Sequence, residues 1–211
     1  MKVLLVAATE FEAPMNLQTK NGDLDILISG PGILNTVYTM MVQMKVKKYD
    51  FAIQAGICGA FHKNLSLGET VEVVSEEIAD LGAEDDTSFQ TVFEMGLMDK
   101  NMIPYQNGKI LFPENTLDSL RHLKKVHGIT VNKVHGNEES IAKAIEKFQP
   151  EVESMEGAAF AYVCKMQNIP AVQVRAISNY VEKRNKANWK IELAVSNLHK
   201  VLVTLIHELQ A

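Results

Sequence analysis

Glu156 stands in VESMEGAAFAYVC, between a methionine and a glycine that opens an otherwise apolar helical run. An acid in a first helical turn interacts favourably with the helix dipole, and that alone would account for a carboxylate here. Glu12, in TEFE at 9–12, is a second first-turn acid behind an apolar strand, and Glu10 is equally well placed by composition. Asn179 follows the strand-like PAVQVRAIS. Taken together, carboxylates after strand one and before the SMEG helix, with an amide after the RAIS strand, would converge on one rim of the sheet. A carboxylate takes a proton or accepts from hydroxyls, and an amide NH2 donates.

The elements that must position these residues follow from periodicity. Short β-branched runs at 2–8, 24–29, 50–56, 69–76, 130–134 and 170–178 predict strands, and helical spacing predicts helices over 33–47, 114–126, 138–148, 157–167 and 188–209. In the last helix Ala194, Leu198, Val201, Leu202, Leu205, Ile206 and Leu209 form one apolar stripe for packing. Alternation of strands and helices predicts an α/β fold with a largely parallel sheet. Ligands then gather outside the carboxyl ends of the strands, where TEFE, SGPG at 29–32, QAGICGAF at 54–61, SMEG at 154–157 and RAISNY at 175–180 fall. The two glycine turns allow close backbone approach but match no Walker or dinucleotide pattern. Segment 80–110 has poor periodicity and reads as a long excursion that could cover a site.

Composition narrows the partners. The 211 residues, 46% hydrophobic, are most simply one domain spanning 1–211. A net charge of −5 and no basic–aromatic cluster argue against nucleic acid. No run approaches a membrane span or a signal peptide, so the expected place is the cytoplasm, in keeping with two cysteines that show no metal-ligand spacing. The three arginines are Arg121, Arg175 and Arg184, none near the early loops, which argues against phosphate there.

The motifs VAATEFE, SGPGILNT, QAGICGAF, LGETVEVVSE at 67–76 and SMEGAAFAYVCKMQNIPAVQVRAIS at 154–178 resemble the purine nucleoside phosphorylase and nucleosidase superfamily, in particular its methylthioadenosine/S-adenosylhomocysteine nucleosidase branch. Within it, ADLGAED at 79–85 and SNYVEKRNKANW at 178–189 are most similar to the futalosine hydrolases, which release hypoxanthine from futalosine for menaquinone biosynthesis. The resemblance implies a three-layer α/β/α sandwich around a mixed, largely parallel sheet, a nucleoside as small-molecule substrate, no metal or organic cofactor, and a homo-oligomer.

Residue by residue, the resemblance gives Glu12 the role of base toward the attacking water, and gives Met155 and Glu156 the ribose. Ile57 joins the substrate contacts, Trp189 stacks on the group at C5′, and Arg184 pairs with the carboxylate of futalosine, with Lys183 and Lys186 as competitors. Asn179 stands where adenine-cleaving members carry aspartate. A 6-oxopurine offers only acceptors along its N7 and O6 edge, which an amide NH2 suits. The stacking aromatic that nucleosidases carry after the strand read at 130–134 is missing from HGNEES at 135–140, so Phe89 becomes the candidate for that face. The alternatives are an adenine-specific nucleosidase, a phosphorylase and a non-catalytic nucleoside-binding relative.

Overall fold

The computed structural model describes residues 1–17 and 23–211. In chain order the strands are β1 Val3–Ala7, β2 Leu24–Ile28, β3 Phe51–Ala60, β4 Thr70–Ile78, β5 Gly82–Asp85, β6 Ser88–Thr91, β7 Ile110–Leu111, β8 Lys124–Thr130, β9 Val152–Ser154 and β10 Ala171–Tyr180. The helices are α1 Ile33–Val46, α2 Glu138–Phe148, α3 Gly157–Met166 and α4 Ile191–Leu209, with short 3-10 turns at Glu10–Glu12 and Lys186–Asn188. Among the described residues no helix is long and apolar enough to cross a membrane.

One mixed sheet runs β2-β1-β3-β9-β8-β4-β10, and β10 also pairs with β3, so the last five strands close a ring. The β1–β2, β1–β3, β3–β10, β4–β8 and β8–β9 pairs are parallel, and β4–β10, β3–β9 and β4–β7 are antiparallel. Successive strand residues face opposite sides, so Leu4 and Val6 meet α1 and α3 through Met40, Phe160 and Val163. Leu5 and Val3 meet α4 on the other side through Leu198, Leu202, Leu205 and Ile206. Two helical layers therefore sandwich the sheet, which is why β1 reads as an unbroken apolar run. Each fully buried leucine of the α4 stripe stabilises this packing by about 1.5–3 kcal/mol.

Two expectations fail in one stretch. Residues 114–126 form turns followed by the start of β8, because Leu117, Leu120 and Leu123 reach the core from those turns without a helix. The strand expected at 130–134 ends at Thr130 and begins six residues earlier, at Lys124. Gly128 interrupts the apolar pattern there. It fits because a Cβ at that position would lie 2.8 Å from the buried Glu76 carboxylate on β4. The 80–110 excursion contains the β5–β6 hairpin and packs Phe93, Met98 and Tyr105 on Ala158, Ala161 and Tyr162 of α3.

Candidate active site

The carboxyl end of β1, the middles of β3 and β10 and the amino ends of α1 and α3 converge on Arg175. This guanidinium is only 1% exposed, and it rises from β10 opposite Gly56 of β3. A Cβ at Gly56 would lie 2.2 Å from Arg175 Nη1 and 3.1 Å from Glu12 Oε1, so only glycine leaves room for both groups. Arg175 Nη1 lies 3.4 Å from Glu156 Oε2 and donates to the Ile57 carbonyl at 3.4 Å. Its Nε and Nη2 have no partner among the described residues.

The two carboxylates are held differently. Glu12 Oε2 accepts from Thr9 N at 3.0 Å and Thr9 Oγ1 at 2.8 Å, and its Oε1 accepts from Ile57 N at 3.0 Å. An ionised carboxylate has about four lone-pair sites, so Glu12 keeps roughly one free acceptor position. Glu156 Oε1 accepts from Gly32 N at 3.0 Å, and Oε2 faces Arg175. By the same count Glu156 keeps about two. Gly32 presents its N–H from a backbone at φ +92°, a region that side-chain-bearing residues avoid, which explains the SGPG turn before α1. Both acids are buried, at 7% and 6% exposure, so their free acceptor sites must be filled by a ligand or by water.

Asn179 lies three pairs further along β3, opposite Gly59 and beyond a bulge in β10, roughly 10 Å from the Arg175 level at about 3.3 Å per residue. Its Nδ2 donates to the Tyr180 carbonyl at 3.0 Å, and its Oδ1 lies 2.8 Å from Ser178 Oγ. A carbonyl only accepts, so the amide orientation is fixed, with one N–H still free. Lys190 N donates to Ser178 O at 2.7 Å and ties the turn carrying Trp189 to this strand end. Arg184 lies over the Trp189 ring at 5.3 Å from its centroid.

A scan against family models matches residues 16–207 to the phosphorylase superfamily. The chain belongs to the phosphorylase superfamily. Among relatives of the superfamily, a futalosine hydrolase of Thermus thermophilus is 29% identical over 184 residues, 86% of this chain and 80% of the relative. A 5'-methylthioadenosine/S-adenosylhomocysteine nucleosidase of Maridesulfovibrio salexigens is 26% identical over 200 residues, 89% of this chain and 82% of the relative. The structure of S-adenosylhomocysteine nucleosidase from Streptococcus pyogenes, in complex with 5-methylthiotubericidin, superposes with a TM-score of 0.81 at 19% identity, covering 100% of this chain and 98% of that one. The superfamily fold is therefore shared.

Of the residues singled out from sequence, Glu12, Ile57 and Glu156 meet around Arg175, with Met155 half-buried in the turn beside Glu156. Asn179, Arg184 and Trp189 line one cleft with Gly59, His135 and Glu153. Of the competing cations, Lys183 lines a separate groove against α2. Phe89 does not reach the cleft. Its ring packs on Phe148 of α2 at 6.4 Å, under Lys147, because β6 lies over that helix.

Arg175 itself escaped the sequence reading, although a charged residue inside PAVQVRAIS is a signal in its own right. It also corrects the argument about phosphate. The QAGICGAF segment is no turn, since β3 runs unbroken to Ala60, and a cation does reach it from the neighbouring β10, but Glu156 pairs with that cation and Glu12 crowds the same glycine. The thiol of the neighbouring Cys58 is pushed up to about 12 by burial, so it is no nucleophile.

Proposed function

We propose that the chain is an N-ribosyl hydrolase that cleaves futalosine to hypoxanthine and dehypoxanthine futalosine. One observation carries the reading: beside Arg175, Glu12 has room for one further donor and Glu156 for two. The pair of sites on Glu156 suits the two hydroxyls of a ribose, and the single site on Glu12 suits one water. One N–H of Arg175 donates to that water's oxygen and leaves its other lone pair for C1′. As the C1′–N9 bond lengthens, the water oxygen bonds to C1′ and its proton passes to Glu12. The bonding electrons leave on the base, where the free Asn179 N–H meets the N7 and O6 edge, and the base takes a proton from solvent to depart as hypoxanthine while Glu12 returns to solvent the one it took. Positioned acid–base help of this kind contributes about 10²- to 10⁴-fold. The choice of futalosine draws on the Thermus relative and on the Arg184–Trp189 pair, a cation stacked on an indole that suits an anionic aromatic group at C5′.

We further infer a cytoplasmic homo-oligomer. Leu34, Tyr38, Val42 and Val46 of α1 form an exposed apolar stripe at four-residue spacing that suits a second copy, and both cysteines are unpaired. The test of the reaction is release of base from futalosine, methylthioadenosine and inosine, each with and without phosphate. Hypoxanthine from futalosine without phosphate supports the proposal. Adenine from methylthioadenosine in its place would favour the adenine-specific reading, and a strict need for phosphate would favour a phosphorylase.

A further inference from the structure

The cleft at Asn179 holds a titratable pair that the ribosyl chemistry does not use. Glu153 of β9, 4% exposed, faces His135, which follows β8. Its Oε1 accepts from the His135 backbone N at 3.0 Å, and its Oε2 meets the ring Nδ1. A carboxylate only accepts, so Nδ1 carries a proton and Nε2 is the atom left to act. Nε2 has no partner among the described residues, and His135 lines the cleft. Phe61 stands edge-on to the imidazole, with centroids 6.4 Å apart.

The sheet register sets this pair across from Asn179. Gly59 pairs with Asn179 on one side and with Glu153 on the other. Directly paired residues project to the same face, and strands lie about 4.8 Å apart, so Asn179 and Glu153 stand on one face roughly 10 Å apart, both lining the cleft. Gly59 contributes no side chain to that gap. A Cβ there would lie 3.2 Å from Asn179 Nδ2 and 2.9 Å from Val181 Cγ2.

We propose that this slot reads the base from both sides. Asn179 meets the N7 and O6 edge, while His135, its Nδ1–H turned to Glu153, accepts the N1–H of a 6-oxopurine through Nε2. A 6-aminopurine carries a lone pair at N1 and would set two acceptors against each other. His135 is thus a specificity residue and Glu153 a positioning residue. The inference rests on the reading of the substrate as a 6-oxopurine nucleoside.

Two variants test it. In Glu153→Gln the amide oxygen must face the His135 backbone N–H, so the NH2 faces Nδ1, which moves the ring proton to Nε2 and turns the acceptor into a donor. His135→Phe keeps a ring and removes the acceptor. Binding of free hypoxanthine and free adenine is measured by calorimetry for wild type and both folded variants, alongside kcat/KM for the 6-oxo and 6-amino forms of one nucleoside. The preference for the 6-oxo form is expected to fall about 10- to 10²-fold in His135→Phe, the cost of leaving one buried polar group unpaired, and further in Glu153→Gln. An unchanged preference in His135→Phe overturns the proposal, as does equal loss of both bases in Glu153→Gln, the mark of a structural role. If wild type hydrolyses neither nucleoside yet prefers hypoxanthine over adenine, with that preference lost in the variants, the proposed reaction fails and the base reading stands.

Discussion

Replacing Glu156 by glutamine removes one charge and no volume, and its consequence can be worked from its partners. The Gly32 N–H, 3.0 Å from Oε1, admits only an acceptor, so the amide oxygen must stay there. The NH2 then faces the Arg175 guanidinium, donor against donor, where the carboxylate oxygen stood at 3.4 Å. The same NH2 faces the ribose and can no longer accept from both hydroxyls. Hydrogen bonds to a charged group are each worth about 1.5–3 kcal/mol, so two amount to roughly 3–6 kcal/mol, or about 10²- to 10⁴-fold in kcat/KM. Arg175 also loses a partner inside the protein. Breaking a buried pair costs about 3–5 kcal/mol, so Tm should fall as well, by less to the extent that Glu12 shares the charge. Initial rates on futalosine, with circular dichroism to certify folding, give the first comparison. Repeating them with a 3′-deoxy substrate closes a double-mutant cycle, in which wild type should lose far more than the variant. A folded Glu156→Gln within a few-fold of wild type, or equal losses on the deoxy substrate, would refute the ribose grip.

Asn179→Asp places an acceptor 3.0 Å from the Tyr180 carbonyl, where the amide now donates. It should lower kcat/KM on the 6-oxopurine substrate by about 10- to 10²-fold and raise acceptance of methylthioadenosine, read by chromatography of the released base. Arg184→Ala should raise KM for futalosine about 2- to 5-fold, as befits an exposed ion pair, and leave inosine, which lacks the carboxylate, untouched. Glu76 lies buried under α3, accepting from Gln173 Nε2 at 2.8 Å and Thr130 Oγ1 at 2.9 Å, and burial raises it above the ordinary 4.5 of a glutamate. The folded chain therefore holds this proton where the unfolded chain has released it, and the stability Glu76 contributes falls as pH rises from about 4.5 toward its folded value. Denaturant midpoints of wild type and Glu76→Gln across pH should diverge in that sense. Parallel curves would show that Glu76 is not the titrating group.

Where one periodicity governs a segment, the sequence is legible. The α4 stripe and the β1 and β10 runs are buried on the faces their spacing predicts, because burial of whole apolar faces dominates their energetics. The 114–134 stretch misleads because Leu117, Leu120 and Leu123 carry helical spacing while serving as core contacts from turns. Glu12 could be found as an acid just past a strand, Glu156 as an acid at a helix start, and Asn179 as an amide at the end of the RAIS strand. His135 and Glu153 could not, since they meet only where β9, a three-residue strand too short to read, lies parallel beside β8. Arg175 needed the β3–β10 register, which sets its guanidinium against a glycine far away in the chain.

The most direct test of the central claim, that Glu12 and Arg175 deliver water to the anomeric carbon, is the fate of oxygen in the sugar product. Purified protein is given futalosine in water enriched in heavy oxygen, with phosphate present, and the sugar product is examined by mass spectrometry. The account predicts one heavy oxygen at C1′ for each hypoxanthine released, with Glu12→Gln slowing both together. A sugar 1-phosphate carrying no label would contradict it.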